Sequence, residues 1–84
     1  MKIAKSRVWT TAEIEEAIAA IRTEPGLWDE LSRIEAITGE FRDVEAGVQE
    51  RRIVTQLHPE CELSEITQLM LAVRLSRRAE LGLK

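Results

Sequence analysis

Apolar residues recur along this chain at the three- and four-residue spacings of helices that bury one face. The first such stripe comprises Ile14, Ala17, Ile18 and Ile21. Thr10 and Glu13 precede it with the spacing of a capping box, in which each side chain accepts a hydrogen bond from the other residue's backbone N–H. Trp9 and Ile14 have the spacing of a hydrophobic staple. Together these signals predict a helix over residues 11–23.

A second helix is expected after a break at Pro25. Proline disfavours helical geometry in the residue before it, so the first helix should end near Thr23. Pro25 or Gly26 can then begin the next helix. One face of that helix carries Trp28, Leu31, Ile34 and Thr38. Gly39 has the position of a glycine that ends a helix, and the predicted range is therefore 26–38.

The third segment has apolar residues that face two ways. Phe41, Val44 and Val48 share one helical face. Ile53 and Leu57 point about 140–180° away from it at the rotation of an α-helix. The β-branched run within residues 52–57 is also typical of a short strand. Because no partner strand is evident, we predict a helix over residues 40–56 that breaks midway or contacts different neighbours at its two ends.

The last segment predicts a helix over residues 60–81, with Pro59 at its start and Gly82 after its end. Its main stripe is Leu63, Ile66, Leu69, Met70 and Val73. Leu71 and Leu75 lie on the opposite side, so the middle of this helix is apolar nearly all round. Such a helix lies at the centre of a bundle or at a dimer interface. We therefore predict a single all-α domain over residues 1–84, a compact bundle of about four helices, with residues 1–9 as a basic N-terminal arm.

Composition agrees with a folded, non-membrane protein of the cytoplasm. The chain has 84 residues, of which 44% are hydrophobic, and a net charge of −3. Its one cysteine, Cys61, cannot form an internal disulfide. No apolar run is longer than that of residues 69–73, which is far too short to cross a membrane, and no signal-peptide core follows the basic start.

Charge is sorted into blocks along the chain. Residues 1–10 hold three basic residues and no acid, whereas residues 11–50 hold eleven acids and three arginines. Several of these acids fall near predicted helix starts, where the helix dipole favours them.

Arg77 falls inside the last apolar stripe, with Glu35 as one possible counter-charge, although an arginine at a helix end also complements the dipole. The residues expected to contact a partner are Glu13, Glu15, Glu16, Glu45, Glu50, Leu71, Leu75 and Arg77.

No constellation of catalytic or cofactor-binding residues is evident. His58 and Cys61 are the only histidine and cysteine, with Glu60 and Glu62 beside them. A metal site would need a turn that brings all four together, and no second Cys or His pair completes a tetrahedron. A Cys–His dyad would need a third group to orient the imidazole. We therefore expect no enzymatic activity, no cofactor and no metal.

The chain is thus expected to act by binding another protein, as an adaptor, regulator or inhibitor, and to form a homodimer. Surplus apolar faces on a short chain favour this function. The acidic helices also favour a partner with a basic surface. In this respect the composition is similar to that of small phage anti-restriction and anti-CRISPR proteins, which occupy nucleic-acid-binding grooves of host complexes.

Residues 1–38 suggest an alternative. A short basic segment from Lys5 to Thr10 is followed by a helix, a turn at Pro25 and Gly26, and a second helix. That helix contains Asp29, Glu30, Leu31, Arg33, Ile34, Ala36 and Ile37. This order resembles the ribbon-helix-helix family of DNA-binding regulators and antitoxins. The resemblance implies a dimer whose paired strands enter the major groove, with Lys2, Lys5 and Arg7 as the nucleic-acid contacts. The capping box departs from the family, because it assigns Trp9 to a helix start.

Overall fold

The chain folds into four α-helices, as its hydrophobic pattern predicts. The computed structural model describes residues 8–38 and 45–82. The helices are α1 (Thr11–Arg22), α2 (Leu27–Thr38), α3 (Glu45–Leu57) and α4 (Leu63–Glu80). Within the described ranges there is no strand, so the helical alternative for residues 52–57 is confirmed.

The beginning of α1 follows from the predicted capping box. The Thr10 hydroxyl accepts a hydrogen bond from the Glu13 N–H at 3.1 Å, and the Glu13 carboxylate accepts one from the Thr10 N–H at 3.0 Å. These bonds satisfy backbone groups that the first turn leaves unpaired. Gly26, with a φ of 77°, then reverses the chain directly before α2. The predicted break near Pro25 is therefore confirmed, with α2 beginning at Leu27 rather than residue 26.

The start of α4 was predicted three residues too early. Residues 58–61 form a turn in which the Cys61 N–H donates to the His58 carbonyl at 3.0 Å. Glu62 has extended backbone angles, and its N–H donates to the Glu65 carboxylate at 2.9 Å. Because this contact satisfies the first turn, α4 begins after Glu62, and Pro59 lies in the turn instead of the helix. Gly82, with a φ of 76°, follows the other end as predicted.

A shared core joins the four helices, each of which contacts the other three. It consists of Ala17, Ile21, Leu27, Trp28, Leu31, Ala46, Val54, Ile66, Leu69, Met70 and Val73. The core face of α3 differs from the predicted one. Val48 is 44% exposed, whereas Ala46, Gly47, Glu50 and Val54 are buried. The predicted N-terminal part of this helix, with Phe41 and Val44, lies outside the described residues, as does Gly39.

One face of α4 packs on the core and the opposite face is open. Ile66, Leu69, Met70 and Val73 are buried as predicted, whereas Leu63 of the same predicted stripe is 65% exposed at the first position of the helix. Leu71 and Leu75 are 47% and 67% exposed. The expectation that α4 is buried on all sides is therefore wrong within a single copy, because the other three helices cover only one face. Its location at an interface between copies stays a prediction.

Candidate functional site

Two charged residues lie at the centre of the core. The Glu50 carboxylate accepts a hydrogen bond from Arg77 Nη1 at 2.8 Å, and these residues are 0% and 1% exposed. Glu50 was expected to face solvent, and that expectation is wrong because its side chain pairs with Arg77 across the α3–α4 contact. Arg77 is likewise enclosed, so neither residue presents its charge to a partner in this conformation.

A second buried acid, Glu35, lies beside this pair. Its Oε1 accepts hydrogen bonds from Arg74 Nε at 2.7 Å and from Arg78 Nη1 at 3.2 Å. Glu35 was one possible counter-charge for Arg77, but it instead pairs with Arg74 and Arg78, and Arg77 pairs with Glu50. We refer to Glu35, Glu50, Arg74, Arg77 and Arg78 as the charge cluster. It joins α2 and α3 to the last turns of α4.

The two buried acids have opposite pKa shifts. Burial raises the pKa of Glu50 above its ordinary value, because Arg77 only partly offsets the loss of water around the carboxylate. Burial also acts on Glu35, but its arginine partners outweigh it, so the pKa of Glu35 is lowered. Opposed pKa values in a carboxylate pair are typical of acid–base catalysts. Here both carboxylates are buried, 2% and 0% exposed, so a substrate does not reach them in this conformation.

The ion pair at the centre of the charge cluster is incompletely hydrogen-bonded. Glu50 Oε1 and Arg77 Nε are buried and have no hydrogen-bond partner. The guanidinium of Arg77 also lies over the Trp28 ring, 5.4 Å from its centroid, and Arg22 lies over the same ring at 4.6 Å. Cation–π contacts of this kind compensate in part for lost hydration. The charge cluster therefore favours one packing arrangement of the helices. Its two carboxylates are not accessible to a substrate in this conformation.

The other predicted acidic candidates lie on the surface of α1 and α3. Glu15, Glu16 and Glu45 are exposed and form no ion pair with the described residues. Glu13 differs, because its carboxylate already serves the capping box of α1. Glu45 and Glu24 line a groove of about 350 Å³ between the α1–α2 turn and the start of α3. The structure thus brings one predicted acid together with another that the sequence pattern did not single out.

The open side of α4, which we call the outer face of α4, is rich in leucine, and the partly exposed Arg74 and Arg78 lie three and seven residues after Leu71 on the same side of the helix. Its exposed residues are Leu63, Ser64, Thr67, Leu71, Leu75 and Ala79. The leucines among them are between 47% and 67% exposed. A pit of about 30 Å³ beside Leu71 is lined by Arg51, Thr67 and Met70. The most exposed residues of the outer face of α4 are uncharged in a chain that is 32% charged, and exposed leucines grouped on one side of a helix can mark an interaction site.

The turn between α3 and α4 brings three potential metal ligands together. One donor atom from each of His58, Glu60 and Cys61 lies within 4.8 Å of the others. Sequence reasoning named these residues but did not expect them to converge. The signal was their spacing around Pro59, which indicates a tight turn once α4 is known to begin at Leu63. Glu62, the fourth residue considered, is the first residue before α4 and is not among the three.

The predicted nucleic-acid residues Lys2, Lys5 and Arg7 lie outside the described residues. Val8, Trp9 and Thr10, which complete the segment compared with a ribbon strand, form no strand, and Thr10 caps α1.

None of the described helices combines the length and apolar character of a membrane span. No protein-family model, curated protein or solved structure matches this chain. Its function must therefore be argued from its own surfaces.

Proposed function

We propose that this chain is a non-enzymatic protein that acts by binding another protein, and that the outer face of α4 makes the contact. The observation that carries this proposal is the group of exposed leucines on one side of α4. Contiguous exposed apolar patches on soluble proteins often mark interaction sites. Burying it against a partner removes apolar area at about 25 cal/mol per Å².

The geometry of the outer face of α4 suits a helix or another flat apolar surface. Leu71 and Leu75 are four residues apart and so lie one above the other on the helix. The pit beside Leu71 has room for a methyl-sized group of the partner. Arg77 lies on the buried side of α4, where its ion pair with Glu50 holds the helix against the bundle. The exposed face is thus supported by a fixed scaffold, which limits the entropy that binding must overcome.

The proposal is tested by capture of partners from native host cells with the tagged full chain, at low and high salt and with nuclease treatment. We expect a defined protein to be retained at high salt, because apolar contacts are weakly screened. Leu71→Asp and Leu75→Asp should each lose it. Thr55→Asp, which places the same charge on the exposed side of α3, is the matched control and should retain it.

If all three variants retain the same protein, the outer face of α4 is not the site that binds it. Circular dichroism of each variant shows whether the helices are intact, so that loss of binding is not confused with loss of folding. Nuclease treatment separates direct protein contacts from association through nucleic acid. A catalytic role would instead require an accessible reactive group, which neither Glu35 nor Glu50 provides in this conformation.

A second candidate contact is the acidic groove lined by Glu24 and Glu45. Neither carboxylate forms an ion pair with the described residues, and both lie in one concave surface. Such a groove favours a basic segment of a partner, including a nucleic-acid-binding surface that an acidic inhibitor would occupy. Binding there should weaken steeply with salt and be lost on Glu24→Lys with Glu45→Lys. If binding is affected neither by salt nor by these two substitutions, the acidic groove is not the contact site.

A further inference from the structure

The turn between α3 and α4 is held in place by backbone hydrogen bonds at both ends. The His58 N–H donates to the carbonyls of Val54 and Thr55 at 3.3 and 3.2 Å, which continues α3 into the turn. The Cys61 N–H donates back to the His58 carbonyl at 3.0 Å. Because α4 begins immediately afterwards, residues 58–61 have a defined backbone, and their side chains leave it in set directions.

Three different donor types converge on this turn. Oε1 of Glu60 lies 3.6 Å from Nδ1 of His58 and 3.8 Å from Sγ of Cys61. All three donors fall within 4.8 Å of one another. An imidazole, a carboxylate and a thiol form a ligand set that zinc accepts, and the mixture distinguishes this site from a simple acidic cluster.

The environment of His58 restricts its imidazole. The residue is only 9% exposed, and its Nε2 is buried without a hydrogen-bond partner. Its Nδ1 lies 3.6 Å from the Glu60 carboxylate, beyond an ordinary hydrogen bond. Nδ1 is therefore the ring nitrogen that is available to an ion beside Glu60.

We propose that His58 Nδ1, Glu60 Oε1 and Cys61 Sγ bind one divalent ion of the zinc class, with solvent as the fourth ligand. Tetrahedral zinc with bonds of about 2.0–2.3 Å separates its ligand atoms by about 3.3–3.6 Å. The two pairs that include Glu60, at 3.6 and 3.8 Å, are already close to this separation. The imidazole and the thiol lie within 4.8 Å of each other and need to approach by up to about 1.5 Å. The Cys61 thiol loses its proton to solvent as the metal–sulfur bond forms.

This site is independent of the protein contact proposed for the outer face of α4, since it lies in the turn before that helix. The Trp9 ring lies against His58, with centroids 4.8 Å apart, and its Nε1 donates to the Glu65 carbonyl at 3.0 Å. Trp9 thereby fixes one side of the imidazole. Nδ1 of the same imidazole lies 3.6 Å from the Glu60 carboxylate.

The experiment is a titration of the reduced, metal-free full chain with Co²⁺, followed by displacement with Zn²⁺. We expect one Co²⁺ per chain, a thiolate-to-cobalt charge-transfer band and visible bands of tetrahedral intensity, all abolished by one equivalent of Zn²⁺. Cys61→Ser should remove the charge-transfer band. Cys61→Ser and His58→Gln should each weaken binding by more than about tenfold, beyond what loss of an outer-shell contact typically causes.

Glu60→Gln should also weaken binding, whereas Glu45→Gln, which removes an exposed acid elsewhere, should leave it unchanged. Circular dichroism confirms that each variant retains its helices. The proposal is overturned if Co²⁺ produces no charge-transfer band in the wild-type chain. It is equally overturned if Cys61→Ser and His58→Gln bind Co²⁺ as the wild type does, since the ion would then be an adventitious ion only.

Discussion

At the scale of single residues, the contact between Glu50 and Arg77 governs the interior. Burying two charges removes their hydration, and their attraction offsets this cost only when their remaining hydrogen bonds are also satisfied. Here one hydrogen bond of 2.8 Å joins them, and Glu50 Oε1 and Arg77 Nε are without partners. We infer that the pair contributes little net stability and chiefly specifies how α3 and α4 pack.

Glu50→Leu alone should destabilise the fold by about 3–5 kcal/mol, because it leaves the Arg77 guanidinium buried without its partner. The double variant Glu50→Leu with Arg77→Met should be far less destabilised than this single variant, and replacement of a buried pair can even gain about 1–4 kcal/mol. Urea denaturation measures both. Strict additivity of the two single changes would show that the residues do not interact. Glu80→Gln, which breaks the exposed pair with Arg22, is the control and should cost less than about 1 kcal/mol.

The two buried carboxylates predict opposite dependences of stability on pH. The folded-state pKa of Glu35 is below the ordinary value of 4.5. Its ionised form therefore adds stability above that value, and this is lost as pH falls through the folded pKa. The folded-state pKa of Glu50 is raised, so stability falls as pH rises from 4.5 through it.

Denaturation of Glu35→Gln and Glu50→Gln from acid to neutral pH measures this difference against the wild type. The cost of Glu35→Gln should be largest at neutral pH and shrink in acid. The cost of Glu50→Gln should instead be larger in acid than at neutral pH. Parallel pH profiles for the two variants would show that the opposed shifts are wrong.

At the scale of helices, the sequence predicted those features that depend on residues close together in the chain. The start of α1 depends on Thr10 and Glu13, three residues apart, and was predicted correctly. The burial of Glu50 depends on Arg77, which is 27 residues away, so periodicity alone could not reveal it. The start of α4 was missed because proline is compatible both with a first helical position and with a turn. The Glu62–Glu65 contact decides between them.

Gly26 is the residue on which the connection between α1 and α2 depends. Its φ of 77° is one that side chains with a Cβ rarely adopt, although a Cβ there would meet no atom within 4 Å. Gly26→Ala should therefore lower the unfolding free energy by about 1–2 kcal/mol through backbone strain alone. Gly26→Asn should cost less, because asparagine tolerates this conformation better. Equal stability of all three proteins in urea would contradict this.

At the scale of the whole molecule, the outer face of α4 predicts self-association in the absence of another partner. A second copy can pack its own leucines there, since the most exposed residues of this face are uncharged. Light scattering over a range of concentrations should show a shift from monomer to dimer for the wild type. Leu75→Asp should stay monomeric throughout, and Thr55→Asp should behave as the wild type. If the wild type stays monomeric at all concentrations, the prediction of self-association is wrong, and the partner of this face is a different protein.

The placement of the two tryptophans gives the molecule two optical probes at opposite ends of α1. Trp9 lies against His58 before the helix, and Trp28 lies under Arg22 and Arg77 after it. In Trp28→Phe, emission reports only the turn before α4, so bound Co²⁺ should quench it. In Trp9→Phe, emission reports only the surroundings of the charge cluster and should change when that cluster is protonated or opens. Fluorescence can thus distinguish events at the two ends of the bundle within a single chain.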